Sequence, residues 1–282
     1  MSINEPVTQN ANGTLTVTGT GEAGVTVVVK DLNNATVGTA TVLVNGTWTL
    51  TSAAPVAEGT LTATATDING EVGTDTAPYV DNTAPKVSIT EPVGQNANGT
   101  LTVSGTGEPG ASIALTGPAP ENIALGTATV QPDGSWTVTT TVPVPEGTLT
   151  ATATDINGEV GTDTAPYVDS TAPTVAINEP VTQNANGTLT VSGTGESGAS
   201  IALTGPAPGN VALGTATVQP DGSWTLTTTG PVPEGTLIAT ATDINGETAT
   251  DTAAYTDATP PLVSINEPVT QNANGTLTVT GT

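Results

Sequence analysis

The sequence has no histidine, no cysteine and no phenylalanine, and Lys30 and Lys86 are its only basic side chains. Each absence closes off chemistry. Without His or Cys the usual general bases and thiolate nucleophiles are missing, and without Arg there is no phosphate clamp. Nucleic-acid binding takes most of its affinity from Lys and Arg displacing counterions, so a net charge of -24 argues against it. No run of twenty apolar residues and no charged-then-apolar leader occurs, so nothing reads as a membrane span or a signal peptide. Carboxylates remain as the one abundant ionisable group. A glycosidase-like pair would need a desolvating cleft, which acids on loop tips lack, so the chain does not read as an enzyme.

What is present is repetition. Trp48, Trp136 and Trp224 fall 88 residues apart, as do Asp67, Asp155 and Asp243, whereas Ile3 to Ile89 spans 86. The two-residue difference sits where KDLNNATVG replaces TGPAPENIALG, so one loop absorbs it and the flanking segments stay in register. Residues 2–20 recur letter for letter as residues 264–282. The expected organisation is repeat one at 1–84, repeat two at 85–172, repeat three at 173–260, and the first two strands of a fourth at 261–282, a window on a longer array.

Within repeat two, VSITEPV, GTLTVSGTG, ASIALTG, LGTATVQ, SWTVTTTV, GTLTATATD and EVGTDTAPYV are rich in Val, Thr and Ile, as strands are. NANG, EPG, GPAPEN, PDG, PEG and DING separate them with turn residues. Seven short strands per period predict an all-β chain of tandem immunoglobulin-like antiparallel sandwiches arranged as an elongated rod, roughly 40 Å per repeat. In GTLTATATD, Leu149, Ala151 and Ala153 face one side and the threonines the other, a buried and a wet face. Trp136, directly after the PDG turn, reads as an anchor between the sheets; the competing reading is an exposed sugar-stacking platform. The NGT triplets at Asn12, Asn98, Asn186 and Asn274 fit a glycosylation pattern but read as tight turns.

Strand alternation places the turns after strands two, four and six at the leading end of each sandwich, where the chain comes in. In repeat two those turns carry Glu108, Asp133, Asp155 and Asn157, and the incoming DNTAP linker adds Asp81. Repeat three repeats the set as Asp169, Glu196, Asp221, Asp243 and Asn245; repeat one has Glu22, Asp67 and Asn69, with Asn45 at the turn position. Gathered acids repel one another, and a hard cation with six to eight oxygen ligands resolves this, Ca²⁺ suiting flexible carboxylates better than Mg²⁺. Acids merely solvated on polar turns are the bland alternative. The DINGE run is not an EF-hand, because Pro78 stands where its loop needs a bidentate Glu.

GTGEPGAS, DGSWT, GTLTATATDING and VDNTAP, recurring in order, resemble the bacterial Ig-like repeats of biofilm-associated proteins and other giant type I secreted adhesins of Gram-negative bacteria. That resemblance implies an extracellular, cell-surface extender. Structural Ca²⁺ at the inter-repeat junctions would stiffen it, at Asp81, Glu108, Asp155 and Asn157, at Asp169, Glu196, Asp243 and Asn245, and in repeat one only at Glu22, Asp67 and Asn69. It further implies that the repeats pack on their neighbours and project a distal adhesion domain elsewhere in the full protein. The third linker, DATPP, departs from the DNTAP pattern while keeping Asp257. The alternative function is that each repeat is itself a glycan-binding or homophilic cell-cell binding module.

Overall fold

A computed structural model of the chain describes residues 1–206, 209–258, 260 and 263–282. Among them there is no helix, and none therefore long and apolar enough to cross a membrane. The strands of repeat two are Val87–Ile89, Thr102–Gly107, Ser112–Thr116, Ala124–Thr129, Ser135–Thr139, Gly147–Thr154 and Val160–Tyr167, seven as the pattern predicts. The first, second and fifth form one antiparallel sheet; the fourth, third, sixth and seventh form the other. Repeats one and three have the same two sheets, each with an added two-residue segment, Thr8–Gln9 or Thr182–Gln183, against the second strand. The fourth strand pairs with the third and not with the fifth, so the sandwich divides three strands against four where a constant-type immunoglobulin domain divides four against three.

The alternation read from the sequence builds the core. Leu149, Ala151 and Ala153 are buried, and the intervening threonines are partly exposed. Trp136 is 2 % exposed between the sheets, with its indole N–H donating to the Thr106 carbonyl at 3.1 Å; Trp48 and Trp224 repeat this against Thr20 and Thr194. The ring lies so close over Gly105 that a Cβ there would collide with it and with the Ser88 carbonyl, which accounts for glycine in the second strand. A buried, hydrogen-bonded indole is a core anchor, and the stacking-platform reading of these tryptophans falls.

Each repeat has its own core cluster. The Asn-Gly turns are turns: Gly99 N–H donates to Asn96, and the Asn98 side chain accepts from the Thr100 hydroxyl at 2.7 Å. In the fourth segment Thr270–Gln271 pairs with Leu277–Thr278, and the whole hairpin is exposed; Leu277 is 63 % exposed where its counterpart Leu15 is at 0 %. Residues 261 and 262, with which that segment was expected to begin, and residues 259 and 261 of the DATPP linker lie outside the described residues.

Candidate functional site

The DING turn orients its own aspartate. Asp155 Oδ1 accepts the backbone amides of Asn157 and Glu159 at 2.8 and 3.0 Å, which leaves Oδ2 pointing away from the loop. That second oxygen is buried and has no hydrogen-bond partner. Asp243 is held identically by Asn245 and Glu247, and its Oδ2 is likewise buried and unpartnered. Burying a carboxylate oxygen without a donor is costly, so two copies of the same orphan mark a place where something positive is wanted.

Glu108 and Asp81 complete the group. Glu108 is buried, and burial, followed by the Asp155 and Asp81 carboxylates, pushes its carboxyl up to about 7. Glu196 is pushed up to about 7 by burial, then by Asp243 and Asp169. Asp81 caps its own linker by accepting Thr83 N–H at 3.0 Å. Burial pushes Asp169 upward, but hydrogen bonds from Thr171, Asn245 and Gln95 outweigh that and hold its carboxyl below the usual range. Beside Asp81 lies the buried Tyr79 hydroxyl, short of a well-formed hydrogen bond; burial first, then the Asp81 charge, push it well above the ordinary phenol range.

The group straddles two domains. Asn157 of repeat two donates its Nδ2 to Asp81 Oδ2 at 2.8 Å and accepts the Glu58 N–H of repeat one on Oδ1 at 2.8 Å. Asn245 spans the second junction in the same way, to Asp169 at 2.9 Å and from Glu146 at 2.8 Å. Two further side chains at each joint, absent from the set read from the sequence, come from the trailing end of the preceding domain. Gln9 donates to Asp81 Oδ2 at 2.8 Å, Gln95 to Asp169 Oδ2 at 2.8 Å, and Glu58 and Glu146 accept the Asp81 and Asp169 backbone amides. Recurrence was the available signal: Glu58, Glu146 and Glu234 sit at the 88-residue period, in turns otherwise read only as breaks. At the first joint a cleft of about 400 Å³ is lined in part by Ala54, Pro55, Pro109 and Val130.

The members expected from repeat one do not share this environment. Glu22 and Asn69 are exposed and Asp67 is half-exposed, because no domain precedes them within the described residues. The Glu71 backbone amide holds Asp67 below the usual carboxylate range, the behaviour of an ordinary turn acid. Asp257 is exposed, unlike Asp81 and Asp169. Burial of these acids is thus a property of the joint. Asp133 and Asp221, expected to converge with the others, are exposed and turned onto Ser135 and Ser223 in their own loops. Their short turns satisfy them locally, so of the four carboxylates expected at each junction three gather there.

The donor set is one that a hard cation takes: carboxylate and amide oxygens, one of them buried and unsatisfied. Among the described residues no three acidic side chains close on one point as a finished metal shell; Asp81, Glu108 and Asp155 stand as electrostatic neighbours.

No curated protein sequence matches the chain. Similar solved structures include a 1.5-MDa bacterial ice-binding adhesin, at 23 % identity over 87 % of this chain and 91 % of that one, TM-score 0.25. The BSP domain of a biofilm associated protein is 20 % identical over 92 % of this chain and 66 % of that one, TM-score 0.27. A run of titin domains is 12 % identical over 90 % and 96 %, TM-score 0.32. These likenesses are distant. The Bacterial Ig domain family model, by contrast, matches residues 4–82, 84–169 and 172–257. With three successive matches covering nearly all of its sandwiches, the chain belongs to the bacterial Ig domain family.

Proposed function

We propose that these domains are the extender of a large bacterial cell-surface adhesin, carrying a distal binding domain outward, and that Ca²⁺ at each junction stiffens the array. Three tandem bacterial Ig domains are a structural repeat, and the sequence resemblance to adhesin stalks supplies the cellular setting. The observation that supports the calcium reading is the buried, unpartnered Oδ2 of Asp155 and of Asp243, each grouped with a carboxylate of its own domain, Glu108 or Glu196, and with one from the preceding domain, Asp81 or Asp169. Asp81, Glu108 and Asp155 would hold the ion at the first joint, and Asp169, Glu196 and Asp243 at the second. Asn157 and Asn245 already bridge the domains through both ends of their amides, so their oxygens would join only by exchanging partners. The bound ion would neutralise the cluster and tie the two domains to one centre.

Metal that binds only the folded joint contributes to folding free energy where calcium is abundant. For an adhesin exported unfolded in one step, that places the gain outside the cell. Small-angle scattering of the 282-residue chain with calcium and with chelator tests the stiffening. The maximum dimension is expected to grow and its spread to narrow with calcium; an unchanged profile sinks the rod mechanism. Glycan binding, the alternative, has lost its aromatic platform, since all three tryptophans are buried.

A further inference from the structure

The first strand of each sandwich is bonded along one edge only. In repeat two its ladder runs to the second strand, with Ile89 opposite Gly105 and the Thr90 N–H donating to Ser104. The Ile89 N–H lies on the other edge. It donates there to Asp163 Oδ2 at 2.8 Å, and Asp163 belongs to the seventh strand, in the opposite sheet. Ile3 donates to Asp75 and Ile177 to Asp251 in the same way, both at 2.7 Å. Among the described residues no backbone ladder joins first strand to last, although the two pack together.

These are the strands through which a tether is loaded. Tension arrives along the incoming linker into the first strand and departs along the last strand into the next linker, and in an alternating seven-strand chain both strands point the same way. Pulling therefore slides one past the other. A charge-assisted hydrogen bond between them stands across that slide, with only a few residues of each strand between it and the linker. Repeat three adds a second tie: Ala254 N–H donates to Glu179 Oε1 at 3.3 Å, where Pro78 and Pro166 of the other repeats have no N–H to give.

We propose that Asp75, Asp163 and Asp251 are mechanical clamps, each fastening the first strand of its sandwich to the last so that the domain resists being unfolded from its ends. Calcium has no part in this, and the test is made in chelator so that failure of the joint mechanism leaves it untouched. The full chain, stretched between its termini by single-molecule force spectroscopy, should show three unfolding events. Asp163→Ala is expected to move one of the three to lower force, the unfolding rate under load rising roughly ten- to hundredfold. Val138→Ala, a cavity in the same core away from the clamp, is the reference. The clamp requires that Asp163→Ala lose more force than Val138→Ala for an equal loss of chemical stability; an equal or smaller loss overturns it. Should Asp163→Ala not fold, Asp163→Asn is judged by the same comparison.

Discussion

Glu108 lays its carboxylate so closely over Gly13 of the preceding domain that a Cβ on the glycine would lie inside the contact radius of Oε1. The pair Glu196 and Gly99 repeats this, at 2.6 Å from the position a Cβ would take. Gly13, Gly99 and Gly187 all occupy left-handed turns, but only Pro231 of its own domain lies near Gly187. Substitution by alanine should therefore strain each turn by roughly 1–2 kcal/mol. Gly13→Ala and Gly99→Ala should in addition open a joint, seen as faster proteolysis of residues 81–86 or 169–174. Gly187→Ala should leave both linkers protected.

The raised carboxyl of Glu108 makes the metal-free joint sensitive to pH. Docked, Glu108 holds its proton up to about 7; undocked, it faces water and loses it near the ordinary glutamate value of 4.5. The docked state binds more protons between those values, so docking is fully favoured below the lower one and weakens as pH rises through the upper. In chelator, linker proteolysis should accelerate between about pH 5 and pH 8. Glu108→Gln should flatten that dependence at the first joint; an unchanged profile would show that the proton sits elsewhere.

Asp155→Asn separates the two oxygens of the turn acid. An asparagine keeps an acceptor for the amides of Asn157 and Glu159 and places a neutral group where the orphaned oxygen was. In chelator the variant should melt no lower than the parent. In about 10 mM calcium the parent should gain roughly 1–3 kcal/mol per joint, if each site binds with the 0.1–1 mM dissociation constant of extracellular modules. The variant should keep only the second joint's share, measured by scanning calorimetry; an undiminished gain would remove Asp155 from the ligand set.

Tryptophan fluorescence reports the core. Trp48, Trp136 and Trp224, all 1–2 % exposed, should resist acrylamide quenching in the native chain and become accessible only on unfolding. Trp136→Ala should cost its domain about 3–5 kcal/mol. Ready quenching in the folded protein would reopen the sugar-platform reading.

Much of this was legible because the chain repeats itself. Thr-Leu-Thr-Ala-Thr-Ala-Thr announces a strand with one buried face, and the invariant place of Trp136 announces an anchor; both depend on near neighbours along the chain. Counting strands also sufficed to put Glu108 and Asp155 at one end. Harder to see were contacts gathered where two domains meet: Gln9, Glu58 and Asn157 converge on Asp81 across up to 76 residues, and no local pattern encodes that approach. Asp133 misled for the opposite reason, since Ser135 two residues on satisfies it without help from another domain. The Asp163 link was invisible because a threonine-flanked aspartate on a wet strand edge looks like any solubilising charge.

Each joint is made of unlike halves. The trailing end offers Gly13, Glu58 and Asp81, and the leading end offers Glu108, Asp155 and Asn157, so a domain cannot dock on another copy's matching end. Such head-to-tail contacts close on themselves only if the rotation per step allows it, and otherwise run on without limit. A gene coding for this unit can consequently gain or lose whole periods by recombination while every joint that remains is already complete, and reach becomes a trait adjustable by copy number alone.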